Sequence, residues 1–160
     1  MIAFLKSREA ILAGAILVLL ALIASRFPGF VEPGNLARVF TDTSPLLLLA
    51  LGQTVVILTR CIDLSVAANL ALTGMVCAML NAAMPGLPVA VILGLAIGLG
   101  AIMGAFNGIL VWKLAIPPIV VTLGTMTIYR GIIFLISNGE WVNAHEMSAS
   151  FTGFPRTEVL

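Results

Sequence analysis

The sequence predicts an all-α membrane protein, a polytopic bundle of about five transmembrane helices. Hydrophobic residues make up 61% of the chain and charged residues only 9%, and the mean hydropathy is +1.17. Soluble domains carry about 25% charged residues. The apolar residues also form long unbroken runs, without the alternation that the strands of a membrane barrel require. Because a bilayer forces every backbone polar group to bond within the chain, these runs are predicted to be helices.

The first two spans are predicted on either side of a more polar stretch. The first apolar run covers residues 10–27 and ends at Pro28, which begins a helix-breaking Pro-Gly pair. Residues 31–44 mix charged with apolar side chains, and we expect them to lie at the membrane surface. The second span is predicted over residues 45–59, because its first residue is a proline that suits the start of a helix.

Three further spans follow at short intervals. The third is predicted over residues 66–84, and Pro85 then begins a tight turn into the fourth span, over residues 87–112. The fifth is predicted over residues 117–137, and a polar stretch follows it. If the five spans alternate across the bilayer, the basic residues Lys6, Arg8, Arg60 and Lys113 share one side, and Arg26, Arg38 and Arg156 share the other. The positive-inside rule then predicts a cytoplasmic amino terminus.

Polar side chains recur every four residues along the third span. They form a stripe on one face of that helix: Ser65, Asn69, Thr73, Cys77 and Asn81. Polar stripes avoid lipid, so this one either lines a hydrated path or makes hydrogen bonds between helices. Gln53 in the second span and Asn107 in the fourth are open to the same two interpretations.

The fourth span carries glycines at four-residue intervals. Gly100, Gly104 and Gly108 lie on one face, a spacing that permits close approach of two helix backbones. We expect this face to pack against another helix, and the contact could be either static or a sliding surface in a transporter.

Three charged residues near or within the apolar runs need an explanation. An arginine or aspartate at membrane depth costs about 2.5–3.5 kcal/mol on insertion scales unless it is paired or hydrated. Arg60 and Asp63 are three residues apart and could form a structural ion pair, with substrate contact as the alternative. Arg130 lies inside the fifth span, so it is predicted to face the bundle interior, face a partner subunit or snorkel to the interface.

Several classes of function find no support in the sequence. His145 is the sole histidine and has no ligand-spaced partner, so no metal site is predicted, and Cys61 and Cys77 are interpreted as packing residues. The chain contains no phosphate-binding Gly-x4-Gly-Lys-Ser/Thr pattern and no nucleophile with a base, so it is not expected to be an enzyme. The net charge of +1 gives no footprint for nucleic acid.

Three ordered motifs carry a resemblance to a known family. They are residues 58–66 (LTRCIDLSV), residues 106–111 (FNGILV), and residues 116–126 (IPPIVVTLGTM) followed by Tyr129-Arg130-Gly131. Together they resemble the ribose-type permeases, the membrane subunits of bacterial ABC importers for monosaccharides. Many ribose-type permeases have a Gly-Gly pair where this chain has Arg60-Cys61. The motif here looks more like the rhamnose and autoinducer-sugar branches.

The resemblance implies a multi-pass protein of the bacterial inner membrane that carries no cofactor of its own. Its implied partners are a second permease subunit, as a homodimer or heterodimer, a cytoplasmic ATPase that uses the ATP, and a periplasmic sugar-binding protein. Because permeases of this type are about twice as long, residues 1–160 are interpreted as the amino-terminal half of one transmembrane domain of about ten helices. The candidate pathway or interface residues are Gln53, Asn69, Thr73, Asn107, Thr122 and Arg130.

The preferred hypothesis is a translocation subunit that a separate ATPase drives between two states. Two alternatives stay open on the sequence. One is half of a secondary transporter, in which Asp63 and Arg130 would couple transport to an ion gradient. The other is a membrane scaffold without transport, in which the polar stripe and the glycine face only assemble helices.

Overall fold

The computed structural model describes residues 8–154, and every regular element in that range is helical. Lys6 and Arg156, used above to predict the orientation, lie outside these residues. The five long helices are α1 (Arg8–Arg26), α2 (Pro33–Leu58), α3 (Val66–Ala83), α4 (Val89–Lys113) and α5 (Pro118–Ser137). Each of them is long and apolar enough to cross a bilayer. The predicted all-α membrane architecture is confirmed.

Prolines and one left-handed residue set the ends of α4 and α5. Pro88 and Pro117 both have extended backbones and precede the first residues of α4 and α5. This placement suits proline, whose missing N–H would have no partner at a helix start. At the other end of α5, Asn138 adopts the left-handed conformation, with φ of 52°, and donates its N–H to the carbonyl of Phe134. Asparagine tolerates this conformation better than most residues and so ends the helix.

The second helix differs from its predicted start at residue 45. It begins at Pro33 and continues through Pro45, so residues 31–44 are mostly helical rather than a separate surface segment. A proline inside a helix leaves the carbonyl four residues earlier without its N–H partner. Here the hydroxyl of Ser44 donates to that carbonyl, on Thr41, at 2.8 Å. A serine beside the proline thus replaces the missing donor, which the hydropathy pattern alone does not reveal.

The chain divides into two compact units, residues 1–51 and residues 52–160. In the described part of the first unit, α1 contacts the short 3-10 helix Pro28–Val31, and no residue is buried. In the second unit, α3 packs against both α4 and α5. Most side chains of these helices are exposed on their outer faces, as expected where lipid rather than water surrounds a helix.

The second unit has a small core in which its three long helices meet. Ala68 and Leu72 of α3, Met103 of α4 and Tyr129 of α5 form one buried cluster. A short helix α6 (Ala149–Gly153) follows later in the chain. Buried polar residues continue the core toward the start of α3, and these define the candidate site.

Candidate functional site

A polar network begins in the loop that leads into α3. The carboxylate of Asp63 accepts hydrogen bonds from the backbone N–H of Ser65, at 2.7 Å, and from the Ser65 hydroxyl, at 2.6 Å. An aspartate that bonds the chain two residues later forms a local turn, and this one fixes the entry into the helix. Ser65 is fully buried, so its hydroxyl lies inside the protein and is available to bridge to a second helix.

That bridge is made to α4. The side-chain amide of Asn107 donates from Nδ2 to the Ser65 hydroxyl, at 2.8 Å. The hydroxyl already gives its single proton to Asp63, so it can only accept from Asn107, and this requirement fixes the orientation of the amide. Asn107 is 5% exposed, and its Oδ1 has no hydrogen-bond partner within the described residues. A buried carbonyl oxygen without a hydrogen-bond donor lowers the stability of the fold. The orientation of the Asn107 amide is therefore strictly required by its bond to Ser65.

Thr122 connects the same loop to α5. Its hydroxyl lies 2.9 Å from the carbonyl oxygen of Pro118 and 3.3 Å from that of Ile62. The first contact is within the helix, and the second reaches the loop between α2 and α3. The loop is therefore held between Asn107 of α4 and Thr122 of α5, two residues predicted from sequence to serve the pathway or an interface.

The polar stripe of α3 faces the protein interior and bonds to its neighbours at successive levels. Asn69 donates to the carbonyl of Gly100 at 3.5 Å, and Thr73 donates to Asn69 at 3.4 Å. Further along, the buried thiol of Cys77 lies 3.9 Å from the carbonyl of Ile92. Along α3 the partners in α4 descend from Asn107 to Ile92, as an antiparallel pair requires. Asn69 and Cys77 thus contact α4, as the interpretation of bonding between helices expects, whereas the Thr73 bond stays within α3.

The last residue of the stripe binds the polar segment that follows α5. Asn81, which is fully buried, donates to the hydroxyl of Ser148 at 3.0 Å and accepts from the backbone N–H of Ser148 at 2.8 Å. Two bonds in opposite directions satisfy both ends of the amide. Sequence reasoning identified Asn81 by its spacing but gave no sign of Ser148, which is far away in the chain.

Tyr129 is another buried contact that the sequence analysis missed. Its hydroxyl donates to the backbone carbonyl of Met103 at 3.1 Å and so joins α5 to α4. A tyrosine within a transmembrane segment could have drawn attention, because a buried phenol needs a partner. The partner is a main-chain oxygen, however, and no sequence pattern marks it.

The predicted ion pair between Arg60 and Asp63 is absent from the described residues. The Asp63 carboxylate binds Ser65 instead, and Arg60 is exposed in the left-handed conformation with φ of 59°. This backbone conformation favours glycine over residues with a side chain.

The predicted glycine face of α4 is only partly occupied. A methyl group added to Gly100 would lie 3.8 Å from Oδ1 of Asn69, so this glycine faces α3. The same addition at Gly104 or Gly108 meets nothing within 4 Å among the described residues. Each four-residue step advances about 40° around a helix. These two glycines therefore turn away from the buried face that carries Met103 and Asn107.

Two further candidates lie outside the network. Gln53 is half-buried on α2, and Arg130 is exposed on α5, where it lines a cleft near the end of the helix. Among residues 8–154 no three acidic, histidine or cysteine side chains are grouped so as to hold a metal ion. In the segment after α5, the backbone N–H of Asn143 donates to Glu146, and this bond lowers the pKa of the Glu146 carboxyl.

Comparison with known proteins places these features in a family. A family profile described as the branched-chain amino acid transport system permease component matches residues 35–157. Curated relatives named autoinducer 2 import system permease protein LsrC share 41% identity over 138 residues in Enterobacter sp. strain 638 and 43% over 142 residues in Salmonella typhi. Each alignment covers 86% of this chain, but only 40% and 39% of the respective relative.

A third relative of the same name, from Yersinia enterocolitica, is 40% identical over 137 residues, which is 86% of this chain and 38% of its own length. The chain thus spans about two fifths of the length of the curated relatives that it matches. No solved structure matches it significantly. Since the profile covers most of the chain, including the polar network, the chain belongs to the permease family of the branched-chain amino acid transport type.

Proposed function

We propose that this chain is the amino-terminal part of a membrane permease subunit of a bacterial ABC importer, with a hydroxylated monosaccharide such as the autoinducer sugar as cargo. The observation that carries the proposal is the identity of 40–43% to relatives named as autoinducer 2 import permeases. The description of the family profile names branched-chain amino acids. We base the proposed cargo on the relatives instead, because they match this individual sequence closely.

The proposed mechanism is conformational. The permease supplies a path between helices, and a separate cytoplasmic ATPase supplies the free energy that favours one state over the other. In this proposal the subunit has no ATPase site and no cofactor, it pairs with a second permease, and it receives sugar from a periplasmic binding protein.

The polar residues take different parts in this proposal. Asn69, Asn107 and Thr122 hydrogen-bond to a neighbouring helix or to the loop before α3, which supports an interface role. Elements joined by such discrete bonds can move together when the protein changes state. Gln53 makes no such bond in the described residues and remains a candidate for the path. Arg130 makes none either, and its position on the outside of α5 favours the alternatives of a partner contact or the membrane interface.

The proposed topology places the amino terminus in the cytoplasm. With five alternating spans, the loop containing Asp63 then lies on the cytoplasmic side and the segment after α5 on the periplasmic side. Labelling of a cysteine introduced at His145, which is exposed, tests this arrangement. In a Cys61→Ser background, which removes the part-buried native thiol, a reagent that cannot cross the membrane is expected to label it in intact cells, with the buried Cys77 as the unreactive control. Labelling only after lysis would reverse the topology.

Uptake experiments test the function. Cells that express the intact permease with its neighbouring operon genes are supplied with labelled autoinducer sugar, rhamnose or ribose. A second strain carries a lysine substitution in the phosphate-binding loop of the ATPase. Uptake of one sugar that vanishes in the second strain is expected. Uptake that persists there and follows a proton or sodium gradient would instead favour a secondary transporter, and the absence of any flux would favour a scaffold.

A further inference from the structure

A cleft lies beside the end of α5, in a part of the protein that the polar network does not use. Its volume is about 200 Å³. Its wall is formed by α3, α5 and the start of the segment that follows α5. Its lining includes Met75, Ile133, Phe134, Arg130, Glu140 and Trp141.

Apolar side chains line the cleft along the helices, and a charged rim lies beyond the end of α5. Met75, Ile133 and Phe134 supply the apolar lining from the two membrane-spanning helices, and Phe134 is 68% exposed. Glu140 and Trp141 follow the end of α5, where Gly139, with φ of 77°, reverses the chain. The backbone N–H of Glu140 then donates to the carbonyl of the last helical residue, at 2.9 Å, which holds both rim residues at the end of the helix.

The wall on this side is anchored. The segment after α5 is tied to α3 by the two hydrogen bonds between Asn81 and Ser148, and Asn81 is fully buried. A second, adjoining cleft of about 170 Å³ shares Glu140 and Trp141 with the first. The rim is therefore part of a folded segment whose position is fixed by specific bonds.

Arg130 gives the cleft a positive charge, which indicates an anionic ligand. It lies seven residues before the end of α5, roughly 10 Å below that end at the rise of an α-helix. Its side chain is exposed, and it forms no ion pair within the described residues, although Glu140 lines the same cleft. An arginine at this depth extends toward the interface, where lipid phosphates provide an anion.

The order of charges along the cleft matches a zwitterionic lipid headgroup. The cation lies at the deeper level, and the anion and the indole lie beyond the helix end. In phosphatidylethanolamine the phosphate is attached nearer the acyl chains and the ammonium further out. A guanidinium binds phosphate through charge-assisted hydrogen bonds, and an ammonium is attracted both to a carboxylate and to an indole face.

We propose that this cleft binds a phosphatidylethanolamine molecule from the surrounding bilayer. Arg130 contacts the phosphate, Glu140 and Trp141 contact the ammonium, and an acyl chain lies on Met75, Ile133 and Phe134. Glu140 gives the site its selectivity, because its charge attracts an ammonium and repels the net negative charge of phosphatidylglycerol. The proposal does not depend on the cargo or on the energy source of the permease.

Native mass spectrometry of the intact permease in detergent, titrated with each lipid, tests the proposal. The wild type is expected to retain more phosphatidylethanolamine than phosphatidylglycerol. Arg130→Gln removes a charge-assisted bond to phosphate and lowers retention of both lipids, by about tenfold for a bond of this strength. Glu140→Gln lowers retention of phosphatidylethanolamine and raises that of phosphatidylglycerol. This gain cannot result from unfolding.

A matched pair of tryptophan variants provides the control. Trp141 and Trp112 are 82% and 83% exposed, but only Trp141 lines the cleft. Trp141→Phe is expected to weaken retention of phosphatidylethanolamine, while Trp112→Phe leaves it unchanged. Equal retention of the two lipids by the wild type, or an unchanged preference in Glu140→Gln, would overturn the proposal. The proposal would also be overturned if Trp141→Phe changed the association of subunits but not the retention of lipid, because the cleft would then be a protein contact.

Discussion

Replacing Ser65 with alanine is expected to destabilise the second unit through the partner that it leaves behind. The Ser65 hydroxyl donates to Asp63 at 2.6 Å and accepts from Asn107 at 2.8 Å. Its removal deletes both bonds and leaves the buried amide of Asn107 without a hydrogen-bond partner at either end among residues 8–154. A stranded buried polar group costs about 1–3 kcal/mol. Hydrogen bonds between membrane helices are worth about 0.6 kcal/mol on average and at most about 1.7 kcal/mol. We therefore expect a loss of about 2 kcal/mol.

A double-mutant cycle isolates the bond to Asn107. Asn107→Leu removes the donor together with its unpartnered oxygen, so we expect it to cost less than about 1 kcal/mol. In that background Ser65→Ala no longer strands an amide, and its cost is expected to fall to that of the single Asp63 bond, about 0.5–1 kcal/mol. The interaction energy of the cycle is therefore about 1 kcal/mol.

Equilibrium unfolding of the intact permease in mixed detergent micelles measures these differences. Ser25→Ala serves as the matched control, because the hydroxyl of Ser25 bonds within its own helix, to the carbonyl of Leu22, and the residue is exposed. Its effect is expected to stay within about 0.5 kcal/mol. If Ser65→Ala costs the same with and without Asn107, the bond between them contributes nothing and the proposed bridge from the loop to α4 is refuted.

Three further predictions test local features. Ser44→Ala leaves a carbonyl in α2 without a donor and should lower stability by about 1 kcal/mol. Adding Pro45→Ala to this variant restores the N–H and should recover the lost stability. Thr43→Val is the control: the Thr43 hydroxyl bonds to a carbonyl that already has a helical partner, so its removal should have little effect in the same unfolding assay. Arg60→Gly should leave stability unchanged or raise it by up to about 1 kcal/mol, because glycine accepts the left-handed backbone; a clear loss would instead support an ion pair. The bond from Asn143 lowers the pKa of the Glu146 carboxyl, so ionised Glu146 stabilises its turn. This stabilisation is complete at pH values above the ordinary glutamate pKa of about 4.3, and it is lost as the pH falls through the lowered pKa. The NMR shift of the Asn143 amide should report that change, and Glu146→Gln should abolish its pH dependence.

The helical layout could be predicted from sequence because it depends on hydropathy and on proline. The third, fourth and fifth helices begin and end within two residues of the predicted bounds. The second helix begins 12 residues early, at Pro33 instead of residue 45. Proline is ordinarily a boundary, but here the helix continues through it, and the Ser44 hydroxyl supplies a donor to the carbonyl that the proline leaves unpaired.

The candidate site could be predicted in part. Four-residue spacing correctly indicated that the α3 stripe shares one face, because side-chain direction in a helix follows from sequence separation. The partners did not follow from spacing, since Asn81 bonds to a residue 67 positions away. For Arg60 and Asp63, in contrast, spacing suggested a contact that the described residues do not make. Their three-residue spacing would suit an ion pair in a helix, but the loop places one residue in a left-handed turn and the carboxylate on Ser65.

The order of residues along the chain is enough to predict that this protein is helical, that it lies in a membrane and which family it belongs to. These properties depend on composition and on motifs that are continuous along the chain, and the bilayer leaves helices as the solution for long apolar runs. Which polar groups meet depends instead on how the helices pack. Ser65 and Asn107, or Tyr129 and the carbonyl of Met103, are brought together by the packing of separate helices. The rotation and register of that packing depend on all the side chains at once, and no single segment encodes them.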